Sequence, residues 1–359
     1  MRRPMPDAPA RILIVRLGAV GDIVRTLPAV RRIRLRWPRA EIGWAVERGP
    51  HALLEGHPDV DRLIVFERRE ITRAIRRGRP ADLRLAGDFR RELRAFAPEV
   101  GFDFQSSFKS AIVNRLAGAP IRWGFARRDA REFSHLFATH RVQLAEPRVH
   151  RVERALALAA AAGAGEGPIV ADLALPCALL DAARARVRAL AGDRPAVAVA
   201  PLSSRRQAWK RYPLEGWAEV CRGLAAAGLA PLAVAGPGEE REIARLAGAG
   251  GGVLRPLGAG GLRELAAALA ACDLLVSGDT GPMHIAWAAG TPVVAIYGPT
   301  DPVLNAPWGE GHVILAPPHP TGRHDADRFP GITPGRIVEA ARRRLGTGPR
   351  SPATGRSNP

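Results

Sequence analysis

Lysine is almost absent from this chain. Of its 53 cationic side chains only Lys109 and Lys210 are lysine, and the other 51 are arginine. Cysteine is scarce as well. Cys177, Cys221 and Cys272 are odd in number, widely separated and never in a CxxC spacing, which argues against a disulfide framework or a zinc site and fits a reducing compartment. No GxxxxGK[ST] stretch occurs, so a P-loop ATPase is excluded, and no GxGxxG stretch occurs, which weakens a dinucleotide reading. Long apolar runs are missing too. The charge-free stretch 280–300 is broken by Pro282, Pro292 and Pro299 and by Gly281, Gly290 and Gly298, so no lipid-spanning helix is expected. Near the first residues Asp7 and Arg11 interrupt any apolar core, and no signal peptide is expected.

What is present is an ordinary globular mixture. The 359 residues are 47% hydrophobic and 25% charged, which argues against disorder and for about two domains. The net charge of +18 suits an anionic partner, or reflects a coding bias towards Arg, Ala, Gly and Pro. Against that bias, a retained lysine marks a place where a compact ammonium serves better than a planar guanidinium.

The apolar pattern reads as two rounds of α/β grammar. Short buried strands are expected at 11–17, 41–46, 62–66 and 100–104. A helix runs from Ile23 to Trp37-Pro38, and two short helices over 66–96 are broken at Gly78 and Pro80. Further helices are expected at 110–116 and 151–163. After a Gly- and Pro-bounded connection at 163–176 a second set begins, with strands at 196–200, 231–235, 273–277 and 292–297. Its helices start at Pro213 and Glu239 and cover 262–271, 283–289 and 334–346. Apolar strands alternating with helices predict parallel sheets covered on both faces.

Three loops carry chemistry. Gly18-Ala19-Val20-Gly21-Asp22 lies between a strand and a helix, where free backbone N–H groups favour an anion. Asp22 there is either a helix N-cap or a general base at the carboxyl edge of a sheet, and Glu47 after the second strand could mimic a ribose-binding acid. Asp279-Thr280-Gly281-Pro282-Met283-His284 follows a buried strand and opens a helix, a natural seat for phosphate unless it is only a capped turn. Ser203-Ser204 with Lys210 could hold a diphosphate leaving group by hydrogen bonds and a point charge. No His, Cys or carboxylate spacing suggests a metal, and no cofactor is expected.

Taken in order, RILIVRLGAVGDIVRTLPAV (11–30), FDFQSSFKSAIVNRLAG (102–118), RRDARE (127–132), SSRRQAWKRYP (203–213), GPGEE (236–240) and SGDTGPMHIAWAAGTPVVAIYGPTDP (277–302) resemble the lipopolysaccharide heptosyltransferase family of glycosyltransferases. The likeness covers about residues 10–345 and is strongest to the branch that adds the first heptose of the inner core. It implies the GT-B arrangement, two Rossmann-like domains with parallel sheets facing across a cleft. An acceptor domain would cover 10–175 and a nucleotide-sugar domain 176–333, followed by a helix at 334–346 and a disordered tail at 347–359. It implies an ADP-heptose donor and an anionic lipid A–Kdo acceptor, with no metal and no nucleic acid.

By the same resemblance Asp22 is the catalytic base. Ser203, Ser204 and Lys210 contact the diphosphate, Glu239 the ribose, and Asp279, Thr280, Gly281 and His284 the donor sugar and phosphates. Gln105 and Lys109 fall on the acceptor side. The basic 66–94 segment, with Arg68, Arg69, Arg76 and Arg77, would bind acceptor phosphates and carboxylates from a cytoplasmic position in peripheral contact with the inner membrane. The loop Gly258-Ala259-Gly260-Gly261 departs from the family, which places a larger apolar residue on the adenine side. The alternatives are a nucleotide- or lipopolysaccharide-binding protein without catalysis, a family member with another donor or acceptor, and an NAD-dependent oxidoreductase. An Asp22→Asn change is expected to keep near-normal stability.

Overall fold

The structure is a computed structural model of the full chain and describes residues 3–68, 70, 73, 84–258 and 260–346. The chain forms two compact units. Residues through Ala174, with Gly261–Arg263, make the first, and Leu175–Gly260 with the chain from Glu264 onward make the second.

The first unit is built on strands Arg11–Val15 (β1), Glu41–Glu47 (β2), Arg62–Phe66 (β3), Val100–Asp103 (β4), Ile121–Phe125 (β5) and His140–Val142 (β6). Among the described residues they form one six-stranded sheet, ordered β3-β2-β1-β4-β5-β6, with every pair parallel. The apolar side chains of β1 are wholly buried because helices cover both faces of the sheet. Helix Val20–Arg36 (α1) buries Ile23, Leu27, Val30 and Ile33, and the Trp37 N–H closes it by donating to Ile33 O. It starts three residues earlier than the apolar spacing suggested, with Ala19 as N-cap and no side chain capping it.

Helix Arg84–Phe96 (α2) packs Phe89, Leu93 and Phe96 into a core with Leu13, Val15, Ala45 and Ile64. It is the part of the expected 66–96 helices that is described. Arg69, Arg76, Arg77, Gly78 and Pro80 lie outside the described residues. Helices Phe108–Leu116 (α3) and Arg151–Ala161 (α4) follow. α3 starts two residues earlier than expected because Ser107 and Ser110 form a reciprocal capping box there.

The second unit repeats the plan. Strands Ala196–Ala200 (β7), Ala230–Ala233 (β8), Arg255–Pro256 (β9), Leu274–Gly278 (β10), Val293–Ile296 (β11) and Val313–Leu315 (β12) form a parallel sheet ordered β12-β11-β10-β7-β8-β9. Read from its own first strand, this is the same order as in the first unit. Both are doubly wound sheets of the Rossmann type, with the switch point between β1 and β4 in one and between β7 and β10 in the other.

The helices are Cys177–Ala191 (α5), Leu214–Ala226 (α6), Glu240–Ala249 (α7), Leu262–Ala270 (α8), Gly281–Ala288 (α9) and Pro334–Leu345 (α10). The sequence reading left 177–191 without an element. α10 is part of this unit's core, since Ile337 and Ala341 share one cluster with Val199, Trp217, Cys221 and Leu224.

One glycine in this unit is required by close packing. A Cβ on Gly298, just after β11, would lie 2.2 Å from the Arg328 carbonyl oxygen and 2.7 Å from the Phe329 ring. Thr321 N–H donates to Gly298 O at 3.0 Å, and Thr321 Oγ1 donates to Arg328 O at 2.8 Å. Arg328 Nη1 then donates to Trp209 O at 2.6 Å, tying the segment to the residue before Lys210. Gly298→Ala is expected to cost about 1–3 kcal/mol of stability, because backbone rather than a flexible side chain must move. Thermal unfolding checks this, and an unchanged Tm would show that the segment yields freely.

Candidate functional site

The first unit gathers its polar groups where the loops after β1 and β4 diverge. Asp22 sits in the first turn of α1, but it does not cap the helix. Its carboxylate is instead clasped by two guanidinium groups, Arg16 Nη2 at 2.6 Å and Arg25 Nη2 at 2.5 Å. Arg16 is the last cation of the RILIVR strand run, and Arg25 lies one turn after Asp22 on the same helix face. Arg16 Nη1 also donates to Phe104 O at 2.6 Å, so the end of β1 is tied to the end of β4. Burial alone would raise the Asp22 pKa. Arg16 and Arg25, with Arg151 behind them, outweigh it and hold the carboxyl well below the usual carboxylate range.

More cations crowd this edge. Burial, with Arg25 next in effect, lowers the pKa of Arg151. Burial with Arg151 beside it brings Arg154 down to about 10. Arg154 also lies over the Phe125 ring at 3.7 Å and donates to Asp129 O. Sequence reasoning missed Arg16, Arg25 and Arg151. The signal available was an arginine at the end of an apolar strand and another three residues after Asp22.

Asp103, the last residue of β4, behaves in the opposite way. Burial raises its carboxyl to about 6, although the N–H groups of Ser106 and Gln105, the Ser110 hydroxyl and the charge of Arg16 pull it back. Both backbone donors meet one oxygen, Oδ1, at 2.9 and 3.1 Å. Gln105, turned by this bond, accepts the Leu17 N–H on its side-chain oxygen at 2.9 Å and donates to Ser107 Oγ at 3.2 Å. It therefore fastens the loop carrying Gly18 to the loop after β4. Lys109 and Arg68 both turn to Glu47 at the end of β2, at 2.6 and 3.1 Å. Glu47 is thus an ion-pair partner in this structure, and its expected likeness to a ribose acid has no separate support.

In the second unit the loops after β7 and β10 do come together. Lys210 Nζ lies 2.9 Å from Asp279 Oδ2, with the two side chains only 14% and 9% exposed. Thr280 is the N-cap residue of α9, and its hydroxyl meets Ser277 Oγ at 3.0 Å. Gly281 and Pro282 open that helix, and His284, one turn in, is buried. The Ser203 hydroxyl donates to Gln207 O at 2.9 Å, while Ser204 is exposed at the start of the 3-10 turn Arg205–Lys210. Glu239 precedes α7 and accepts the Gly236 N–H at 2.7 Å, closing its loop. The free N–H groups at the start of α9 and the Lys210 ammonium make this edge suited to phosphate.

Two Rossmann-type sheets, each with charged side chains and a helix start at its switch point, define an α/β protein of the nucleotide-binding kind. The chain belongs to glycosyltransferase family 9 (heptosyltransferase), whose family pattern matches residues 86–327. Lipopolysaccharide heptosyltransferase 1 of Escherichia coli strain K12 is 31% identical over 317 residues, covering 86% of this chain and 94% of that protein. The Salmonella typhimurium heptosyltransferase 1 is 32% identical over 319 residues, with the same coverage of 86% and 94%. The solved structure of E. coli heptosyltransferase WaaC with ADP superposes with a TM-score of 0.75 at 27% identity, covering 93% of this chain and 99% of that one.

The two carboxylates of the first unit predict opposite pH behaviour. Asp103 binds its proton more tightly folded than unfolded, so its ionisation works against the fold. That penalty is absent below the ordinary carboxylate pKa and complete above about 6. Asp103→Asn can keep both backbone bonds on its amide oxygen. The variant should therefore gain stability relative to the parent, on the order of 2–3 kcal/mol, as pH rises from below 4 to 7. Denaturant titrations at the two pH values measure the difference. A constant difference would mean that Asp103 is already ionised without cost.

Proposed function

We propose that the chain is an inverting glycosyltransferase that moves heptose from ADP-heptose to a Kdo–lipid A acceptor during assembly of the lipopolysaccharide inner core. Membership of family 9 supports glycosyl transfer, and the ADP in the related E. coli structure supports an adenine nucleotide donor. The identity to heptosyltransferase 1 proteins supports the first heptose as the one transferred. The observation that carries the reading is Asp22, a carboxylate kept ionised between Arg16 and Arg25 at a sheet switch point.

In this reading Asp22 takes the proton of the attacking acceptor hydroxyl. Two guanidinium groups make it a weak base. As the oxygen bonds to an anomeric carbon of oxocarbenium character, however, its proton becomes strongly acidic, and a weak base suffices. The surrounding arginines, with Lys109 and Arg68, present the positive field that suits phosphates and Kdo carboxylates. Arg69, Arg76 and Arg77 share that assignment.

On the donor side Lys210 exchanges its Asp279 contact for the diphosphate, and Ser203, Ser204 and the start of α9 at Thr280-Gly281 supply hydrogen bonds to the departing ADP. Glu239 holds the ribose, His284 lies behind the phosphate loop, and Gln105 positions the acceptor-side loop. Among the described residues no helix is long and apolar enough to cross a membrane. The reading places the chain at the cytoplasmic face of the inner membrane by peripheral contact.

Asp22→Asn should lower kcat by about two to four orders of magnitude while leaving ADP-heptose binding in place. The near-normal stability expected from the sequence no longer holds for this variant. Removing the charge leaves Arg16 buried without its anion, so a lower Tm is expected beside the lost turnover. Because Asp22 stays ionised, parental kcat should show no acid limb between about pH 5 and 8. A rise centred near 6, or near-parental turnover of Asp22→Asn, would move the base to Asp103.

Lys210→Ala should cost about 2–4 kcal/mol in donor kcat/KM, the scale of a lost preorganised cation at a leaving group. Lys210→Arg should restore little, since a planar fork does not fill the place of an ammonium between Asp279 and phosphate. Full activity of both variants at subsaturating donor would remove Lys210 from the diphosphate site.

A further inference from the structure

The loop after β5 and the start of α3 expose an apolar surface. Phe133 is 70% exposed, Leu136 63% and Phe108, at the start of α3, 49%. The three are neighbours. Phe108 N–H donates to Glu132 Oε2 at 3.1 Å, Leu136 N–H donates to Phe133 O at 3.0 Å, and the Phe108 ring meets Phe137 edge-on at 5.7 Å. The segment is pinned from behind. Ser134 is buried and shares a 3.2 Å hydroxyl contact with Ser106, Arg131 N–H donates to Ser106 O, and Arg122 Nε donates to Phe137 O at 2.8 Å. Glu132 and Phe133 both adopt left-handed backbone, with φ of 50° and 58°, a region that side chains other than glycine seldom enter. The outward posture of Phe133 is therefore imposed by a fixed loop rather than left over from a slack one.

Charge accompanies the apolar patch. Arg115, Arg127, Arg128, Arg131 and Arg141 are exposed on the elements around it. Asp129 pairs with Arg128 at 3.5 Å and accepts the Leu144 N–H, and Glu132 accepts the Phe108 N–H, so the arginines outnumber the acids beside them. Exposed aromatic and aliphatic side chains rimmed by arginine match a lipid interface with anionic headgroups, where the rings enter the acyl boundary and the guanidinium groups stay with phosphate.

We propose that Phe108, Phe133 and Leu136, with their arginine rim, form the surface by which this chain docks onto an anionic phospholipid bilayer. This rests on the transferase reading, in which the acceptor is lipid-linked, and it names residues other than those of the 66–94 segment.

The test is co-sedimentation of the full chain with vesicles of three parts phosphatidylethanolamine to one part phosphatidylglycerol, against vesicles of phosphatidylcholine alone. The parent should bind the anionic vesicles and bind the neutral ones weakly. Phe133→Ser/Leu136→Ser should lower the anionic partition coefficient about tenfold or more, because two apolar side chains leave the interface. Its Tm should stay close to that of the parent, since both side chains are mostly exposed. Transfer to a water-soluble, acyl-free acceptor should also be unchanged, while transfer to lipid-bearing acceptor in vesicles falls.

Equal vesicle binding by parent and variant overturns the proposal. So does loss of self-association in the variant, read by light scattering, without a change in vesicle binding. Failure of the parent itself to glycosylate the acyl-free acceptor would count against the transferase reading and leave the binding result to be judged by itself.

Discussion

The polar clusters of both units depend on one geometric fact about doubly wound sheets. Where the strand order reverses, the loops after two adjacent strands turn to opposite faces and leave their backbone donors unshared. The first unit has this gap between β1 and β4, and the second between β7 and β10. In the first, the gap is bridged by Arg16 reaching Phe104 O and by Leu17 N–H reaching the Gln105 side chain. In the second, it is bridged by Lys210 reaching Asp279. Each bridge joins the two loops through a polar side chain, which in the proposed transfer would also meet substrate.

The two lysines illustrate how composition becomes informative. In a chain whose other 51 cations are arginine, both lysines lie at the carboxyl edge of a sheet in a partly buried ion pair, Lys109 with Glu47 and Lys210 with Asp279. An ammonium is a point charge on a flexible stem and can leave one carboxylate for another anion with little rearrangement. A guanidinium tends to lock to its partner through two bonds. Asp22 has two guanidinium partners instead. The choice of cation follows whether the contact has to hold or to exchange.

The parts of the fold legible from sequence are those with strong local pattern. The buried strands β1, β2, β3, β4 and β7 appear within a residue or two of their expected positions, and so does the loop that opens α9. The strands left unread are β5, β6, β9 and β12. These have IRWGF, HRV, RP and VIL, too short or too interrupted by arginine and glycine for a period to register. They are held in place by pairing to an inner strand rather than by their own composition. α5 was hidden for a related reason. Its Ala and Arg content gives high helix propensity but a weak apolar stripe. At the site, the motif residues were legible one by one and their partners were not. Asp22 reads as a base or a cap until Arg16 and Arg25 close on it, because a contact between a strand end and a helix turn leaves no mark in the spacing of either.

The crowding of arginine around Asp22 has a chemical consequence. A carboxylate held far below the usual range gives up basicity, and for removing a proton from a free hydroxyl that would be a poor arrangement. It becomes suitable if bond formation precedes proton loss, since the oxygen of a forming acetal is acidic enough for a weak base. What the cluster gains is constancy of charge. Asp22 stays ionised, and in the proposed transfer the arginines around it would offset the repulsion that a bare carboxylate exerts on incoming phosphates and carboxylates. Asp103, at the end of β4 and pushed up to about 6 by burial, feels only Arg16, weakly, and keeps one oxygen on two backbone N–H groups instead. Two carboxylates at one sheet edge are thus separated in role by their surroundings, one holding a charge in a cationic field and the other holding a turn.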